Sequence, residues 1–149
     1  MMSIVCSTIN RLKYLYYRAL NMRLLRIGWM LLLATGTAIL GFGFVIAAYP
    51  QISPDYSGAK EVELLRTIGV ATTGMGIFGV MITLKAYRRG EKWVWFTLWY
   101  YPVFWTTHLA LGLPPGNDHI HQIVFIVLSL LGLLLPVRHF FSSSKSMQS

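Results

Sequence analysis

Apolar residues along this chain gather into four long runs, and polar residues gather between them. The runs cover about 27–49, 64–84, 93–113 and 119–136. At about 1.5 Å of rise per residue, a helix over a run such as 27–49 crosses a ~30 Å hydrocarbon core. The connections are short, which makes sequential helices antiparallel neighbours. The pattern therefore predicts an all-α protein whose core, 27–136, is a four-transmembrane-helix up-down bundle. Ahead of it, residues 1–26 form a basic arm in which Leu12, Leu15, Ala19 and Met22 recur at helical spacing among Arg11, Lys13, Arg18, Arg23 and Arg26. That spacing predicts an amphipathic helix lying at the membrane interface. Residues 137–149 form a Ser-rich tail.

Charge orients this picture. Eleven of the thirteen Lys and Arg residues fall in the N-terminal arm, the second connection and the C-terminal tail, and four of the five acidic residues fall in the other two connections. By the positive-inside rule both termini are cytoplasmic. The net charge of +8 does not indicate nucleic acid, because the charges flank apolar spans instead of forming one soluble face. The anionic cytoplasmic leaflet is a sufficient partner for them. Ala47-Ala48 resembles a signal-peptidase site, but the apolar run before it exceeds the usual h-region, so the first helix is expected to be retained. Translation can start at Met1, Met2 or Met22.

Composition agrees. The chain is 55 % hydrophobic and 12 % charged over 149 residues, against about 25 % charged in ordinary soluble domains. Cys6 is the only cysteine, which excludes an internal disulfide, a Cys-x-x-Cys pair or a cysteine zinc site.

The runs also carry packing instructions. Ala34, Ala38, Gly41, Val45 and Ala48 recur at spacings of four and three in the first, as do Gly69, Thr72, Gly76, Gly79 and Thr83 in the second. Small residues at that spacing let helix backbones approach closely, so the two stripes are expected to face each other. The third run is aromatic in eight of the thirteen positions from Trp93 to Trp105. Pro102 frees the carbonyl of Leu98 and should kink that helix. An aromatic wall at a kink can hold a flat apolar ligand; the plainer reading is bulky packing against lipid.

The stretch Leu65-Arg66-Thr67-Ile68-Gly69, the glycine-rich second run, and Ala86-Tyr87-Arg88-Arg89-Gly90-Glu91-Lys92-Trp93 resemble the DoxX-like small four-helix membrane proteins. The likeness of layout covers roughly 25–136. Members are mostly of unknown function, and some sit in redox complexes with quinone-linked roles. The resemblance implies the fold and supplies no catalytic residue.

Polar residues at the non-cytoplasmic ends of the spans are the candidates for chemistry. They are His108, Asp118, His119, His121, Asp55, Glu61 and Glu63. His108, Glu61, Glu63 and Asp118 are the catalytic candidates. Trp99, Tyr101, Trp105, His108 and Arg66 are the ligand-binding candidates, with a ring laid against Trp105 and a carbonyl accepting from His108. No metal site is favoured: His119 and His121 are two apart, which puts their rings about 200° apart on a helix. Structural duties compete with each role. Asp118 can cap the fourth helix, Glu61 and Glu63 suit the first turn of the second, and Arg66 can snorkel to headgroups.

The leading expectation is a non-enzymatic small membrane protein that binds a lipophilic ligand, a lipid or quinone, or serves as accessory subunit of a membrane complex or homo-oligomer. A membrane-embedded enzyme using His108 and the outer carboxylates is the alternative. A small proton-coupled transporter ranks third, because few polar groups reach the middle of the spans and no inverted repeat is visible. The sequence names no cofactor.

Overall fold

Proline decides where two of the apolar runs break. In the computed structural model residues 2–48, 59–111 and 119–141 are described, without the side chains of 2–10, 59 and 61. No proline precedes Pro50, and α1 runs unbroken over Met2–Ala48. The arm and the first apolar run, expected to be separate helices, are thus one helix of 47 residues, about 70 Å long at ~1.5 Å per residue. Residues 11–20 are exposed throughout.

The second helix, α2, covers Ala59–Lys85. A 3-10 turn, Tyr87–Arg89, follows and closes on Gly90, whose φ of 70° is a left-handed conformation that glycine adopts without a Cβ clash. The third run is divided into α3, Lys92–Leu98, and α4, Tyr100–Leu111. Pro102 causes the break. It has no N–H for the Leu98 carbonyl, and the Trp99 N–H turns back to the Phe96 carbonyl at 3.3 Å before the Val103 N–H resumes on Trp99 at 3.2 Å. The expected kink is present. The fourth run forms α5, Ile120–Leu134, and Pro136 separates it from α6, Val137–Phe141. Residues 137–141, expected in the tail, are therefore folded, and Phe140 is buried. Among the described residues every regular element is helical.

The packing is antiparallel at each interface. Along α1 and α2, Ala47 meets Gly69, Leu40 meets Gly76 and Gly36 meets Val80, so numbers fall on one helix as they rise on the other. An ideal Cβ on Gly76 would stand 2.5 Å from the Leu40 nitrogen, and one on Gly43 would stand 2.5 Å from the Thr73 nitrogen. The α2 stripe thus faces α1 as expected. The α1 stripe does not. Ala34, Ala38, Gly41 and Val45 are exposed, and Gly41 has nothing within 4 Å of its Cβ position. The true α1 face is Gly36, Leu40, Gly43 and Ala47. It has the same spacing displaced by two residues, about 200° around the helix.

At the basic end, the chain satisfies its own breaks. Pro136 cannot donate to the Gly132 carbonyl four residues earlier. The Tyr87 hydroxyl donates to it instead, at 2.6 Å, and Trp95 Nε1 donates to the Leu133 carbonyl at 2.9 Å. Phe140 packs on Tyr87 at 5.0 Å between ring centroids. Trp29 Nε1 donates to the Thr83 carbonyl at 3.2 Å, under the Arg88 guanidinium at 4.9 Å. Here α1, α2, α3, α5 and α6 are clasped together.

Among the described residues two helical segments are long and apolar enough to cross a membrane, Arg11–Ala48 and Val62–Arg89, and Ile120–Leu134 is a shorter apolar helix.

Candidate functional site

The buried face of α4 carries Tyr101, Trp105 and His108, at helical spacings of four and three. Pro102 starts this helix afresh after Trp99, which turns the three side chains into the protein. They meet two different surroundings.

Tyr101 reaches furthest. Its hydroxyl lies in a notch made by two glycines, 2.9 Å from where a Cβ on Gly36 would stand and overlapping the Cβ position of Gly79. Only glycine leaves this space. The residue is 2 % exposed, and its hydroxyl has no hydrogen-bond partner among the described residues. Thr83, one turn from Gly79 on the same stripe, also has an unpartnered buried hydroxyl. Behind Tyr101, the break between α3 and α4 leaves a half-open cavity of about 460 Å³. Met75, Phe78, Gly79 and Ile82 of α2 line one side, and Thr97, Leu98, Tyr100 and Tyr101 line the other. Its walls are almost wholly carbon. Its volume falls in the range of small-molecule sites, about 300–1,000 Å³.

Trp105 and His108 lie nearer the histidine end. Trp105 packs on Phe125 of α5 at 4.8 Å between centroids and on Phe42 of α1 at 6.1 Å. The His108 ring is 5.7 Å from Trp105 and 5.0 Å from Phe104. His121 enters the same cluster from α5, 4.8 Å from Phe42 and 6.0 Å from Trp105. His108 and His121, far apart in sequence, thus share one aromatic neighbour. Beside them Gln122 is wholly buried, with Oε1 3.3 Å from His119 Nδ1. Among the described residues the Trp105 indole N–H and the amide nitrogen of Gln122 have no hydrogen-bond partner.

The remaining candidates stand apart. Arg66 is exposed and does not point into the protein, because it lies off the α2 face that meets α1. Glu63 is exposed too, and its backbone carbonyl accepts from the Thr67 hydroxyl at 2.8 Å. Asp55, Asp118 and the Glu61 side chain lie outside the described residues. Trp99 is half-buried, edge-on to Trp95. His119 is exposed at the start of α5, and among the described residues no three His, Cys, Asp or Glu side chains are grouped to hold a metal.

Sequence reasoning missed Gln122 and Tyr87. Gln122 and Ser129 stand seven apart in an apolar run, a spacing that marks one inward face, and both are buried. The Gly132–Pro136 spacing was the signal for Tyr87, since the proline leaves a carbonyl that needs a donor.

Comparison with protein-family models, with curated proteins and with solved structures found no match.

Proposed function

We propose that this chain is a small multi-pass membrane protein, built on a DoxX-like four-span layout with both termini cytoplasmic, that binds a lipophilic ligand in the cavity between α2, α3 and α4. The single observation carrying the ligand reading is that cavity. It is half-enclosed, nearly free of polar atoms, and set at the helix break that Pro102 makes, where Gly79 of α2 leaves room for Tyr101. A slim apolar molecule arriving from the bilayer fits its chemistry better than a water-soluble one. Membrane residence is supported by what the helices leave uncovered. Only 33 % and 39 % of the most apolar windows of the two long segments are buried against the rest of the chain. Phe44, Val70, Phe78, Val103 and Leu111 stand more than half exposed. Soluble monomers rarely show such contiguous apolar surface.

The accessory-subunit reading has its own support. Ala34, Thr37 and Ala38 border an open groove on α1, and the small exposed face continues through Gly41. A partner helix could approach closely there. For the enzyme reading, Glu63 is exposed whereas His108 is buried, and Asp118 and the Glu61 side chain lie outside the described residues.

Native mass spectrometry of the protein released gently from its own membrane tests the proposal. A reproducible small adduct should appear, and it should vanish in Thr97→Phe, which fills the cavity. An adduct that survives Thr97→Phe would move the ligand elsewhere. A protein carried only with other polypeptides would favour the accessory-subunit reading.

A further inference from the structure

The aromatic cluster at the histidine end holds a second, independent feature. Among the described residues two buried N–H donors, the Trp105 indole and the Gln122 amide, have no acceptor. Trp105 is 1 % exposed and Gln122 is 0 % exposed. They belong to one patch. Trp105 packs on Phe125 at 4.8 Å and on His121 at 6.0 Å, and these two residues flank Gln122 within one turn of α5. An unmet donor in a water-poor interior carries a desolvation penalty that nothing offsets. A native site that holds two of them on facing helices is incomplete without an acceptor. With Oε1 against His119 Nδ1, Nε2 is the unmet end of Gln122, and the donor reading rests on that orientation, since the exchanged amide would leave an acceptor unmet in its place.

We propose that this cluster is a binding site for a carboxylate borne on a flat apolar body, distinct from the cavity behind Tyr101. The chemistry follows from the donors. Trp105 can only donate. Two donors from two helices suit a head group with two acceptor oxygens, and a carboxylate has them in one plane. The imidazoles of His108 and His121 lie against the same indole. The flat body matches the walls, where Phe42, Trp105 and Phe125 present ring faces and edges.

The test uses the full-length protein in detergent micelles, with benzoate as probe. The indole ¹H–¹⁵N resonance of Trp105 is followed, assigned by its loss in Trp105→Phe or by contacts from the indole to the Phe125 and His121 rings. The resonance should move downfield and saturate as benzoate is added. Toluene, which has the ring without the oxygens, should not reproduce the shift. Gln122→Leu should weaken binding about tenfold while far-UV helicity is retained. Three results would overturn the proposal. A resonance that ignores benzoate while showing contact with a trapped water would make buried water the acceptor. An equal response to toluene would make the cluster an apolar pocket only. Benzoate bound by Gln122→Leu as tightly as by the parent would remove the amide from the site.

Discussion

Two buried tyrosines divide this molecule into contrasting regions. At the basic end, the hydroxyl of Tyr87 donates to the one carbonyl that Pro136 leaves open, at 2.6 Å. In the interior, the hydroxyl of Tyr101 is buried between Gly36 and Gly79 and donates to nothing. Trp95 and Trp105 repeat the contrast: one indole meets the Leu133 carbonyl, the other meets no acceptor. For these two pairs the same side-chain chemistry is complete in one region and incomplete in the other, although the Thr83 hydroxyl is unmet beside the clasp too. The difference separates residues that hold the fold from residues that wait for something. A broken helix leaves a carbonyl whose donor must come from the same chain. An unmet donor beside a cavity or an aromatic cluster has no such structural reason.

The α1–α2 contact underlies both regions, and breaking it should erase the contrast altogether. Gly76→Leu would drive a side chain into the Leu40 backbone, where even a Cβ would stand 2.5 Å from nitrogen. A loss of about 3 kcal/mol or more is expected. Gly41→Leu on the open α1 face, with nothing within 4 Å, should leave the melting profile in detergent unchanged. Equal losses from both would mean that the two helices do not pack in this register.

A smaller change probes the interior region alone. Gly79→Ala places a methyl group where the Tyr101 hydroxyl and ring already sit. The ring is rigid and buried, so about 2 kcal/mol should be lost despite alanine's better helix propensity. Tyr101→Leu in the same protein should shrink that penalty. Additive losses would show that the notch is looser than its geometry.

Much of this arrangement was legible in the sequence. Pro102 marked the break between α3 and α4, and the spacing of Gly69, Gly76 and Gly79 marked a packed face of α2. The α1 face was not legible, because its small residues fall at the same spacing on two sides of the helix. Ala34 and Ala38 line one, Gly36 and Gly43 the other, and only the partner backbone decides between them. The same limit applies to the site. His108 and Trp105 share a helix face by spacing alone, but their meeting with His121 and Gln122 depends on how α4 crosses α5. Tyr87 read as part of a charged turn, since nothing local says that a distant proline has freed a carbonyl for it.

At the basic end, Tyr87→Phe removes the donor and leaves the Gly132 carbonyl buried. The cost should be about 1–3 kcal/mol. It is read as a lower melting temperature at constant helicity, together with faster proteolysis after residue 134 as α6 loosens. A melting temperature equal to that of the parent would mean that water reaches the carbonyl, and the clasp would then be a packing feature only.

The smallest effect carries the sharpest test, because its sign is expected to be opposite. Tyr101→Phe deletes a hydroxyl that has no partner, so the folded protein no longer buries an unmet donor. In protein stripped of bound lipid by detergent exchange, the variant should be more stable than its parent by about 1 kcal/mol. In protein extracted gently from its own membrane, the gain should shrink or reverse if a bound molecule accepts from Tyr101 there. Melting both proteins in both states gives four temperatures, and the difference of differences isolates the acceptor. Destabilisation of the same size in both states would show that the hydroxyl has a permanent protein partner. Tyr101 would then belong with Tyr87 among the residues that hold the fold, and the contrast between the two regions would rest on Trp105 and Gln122 alone.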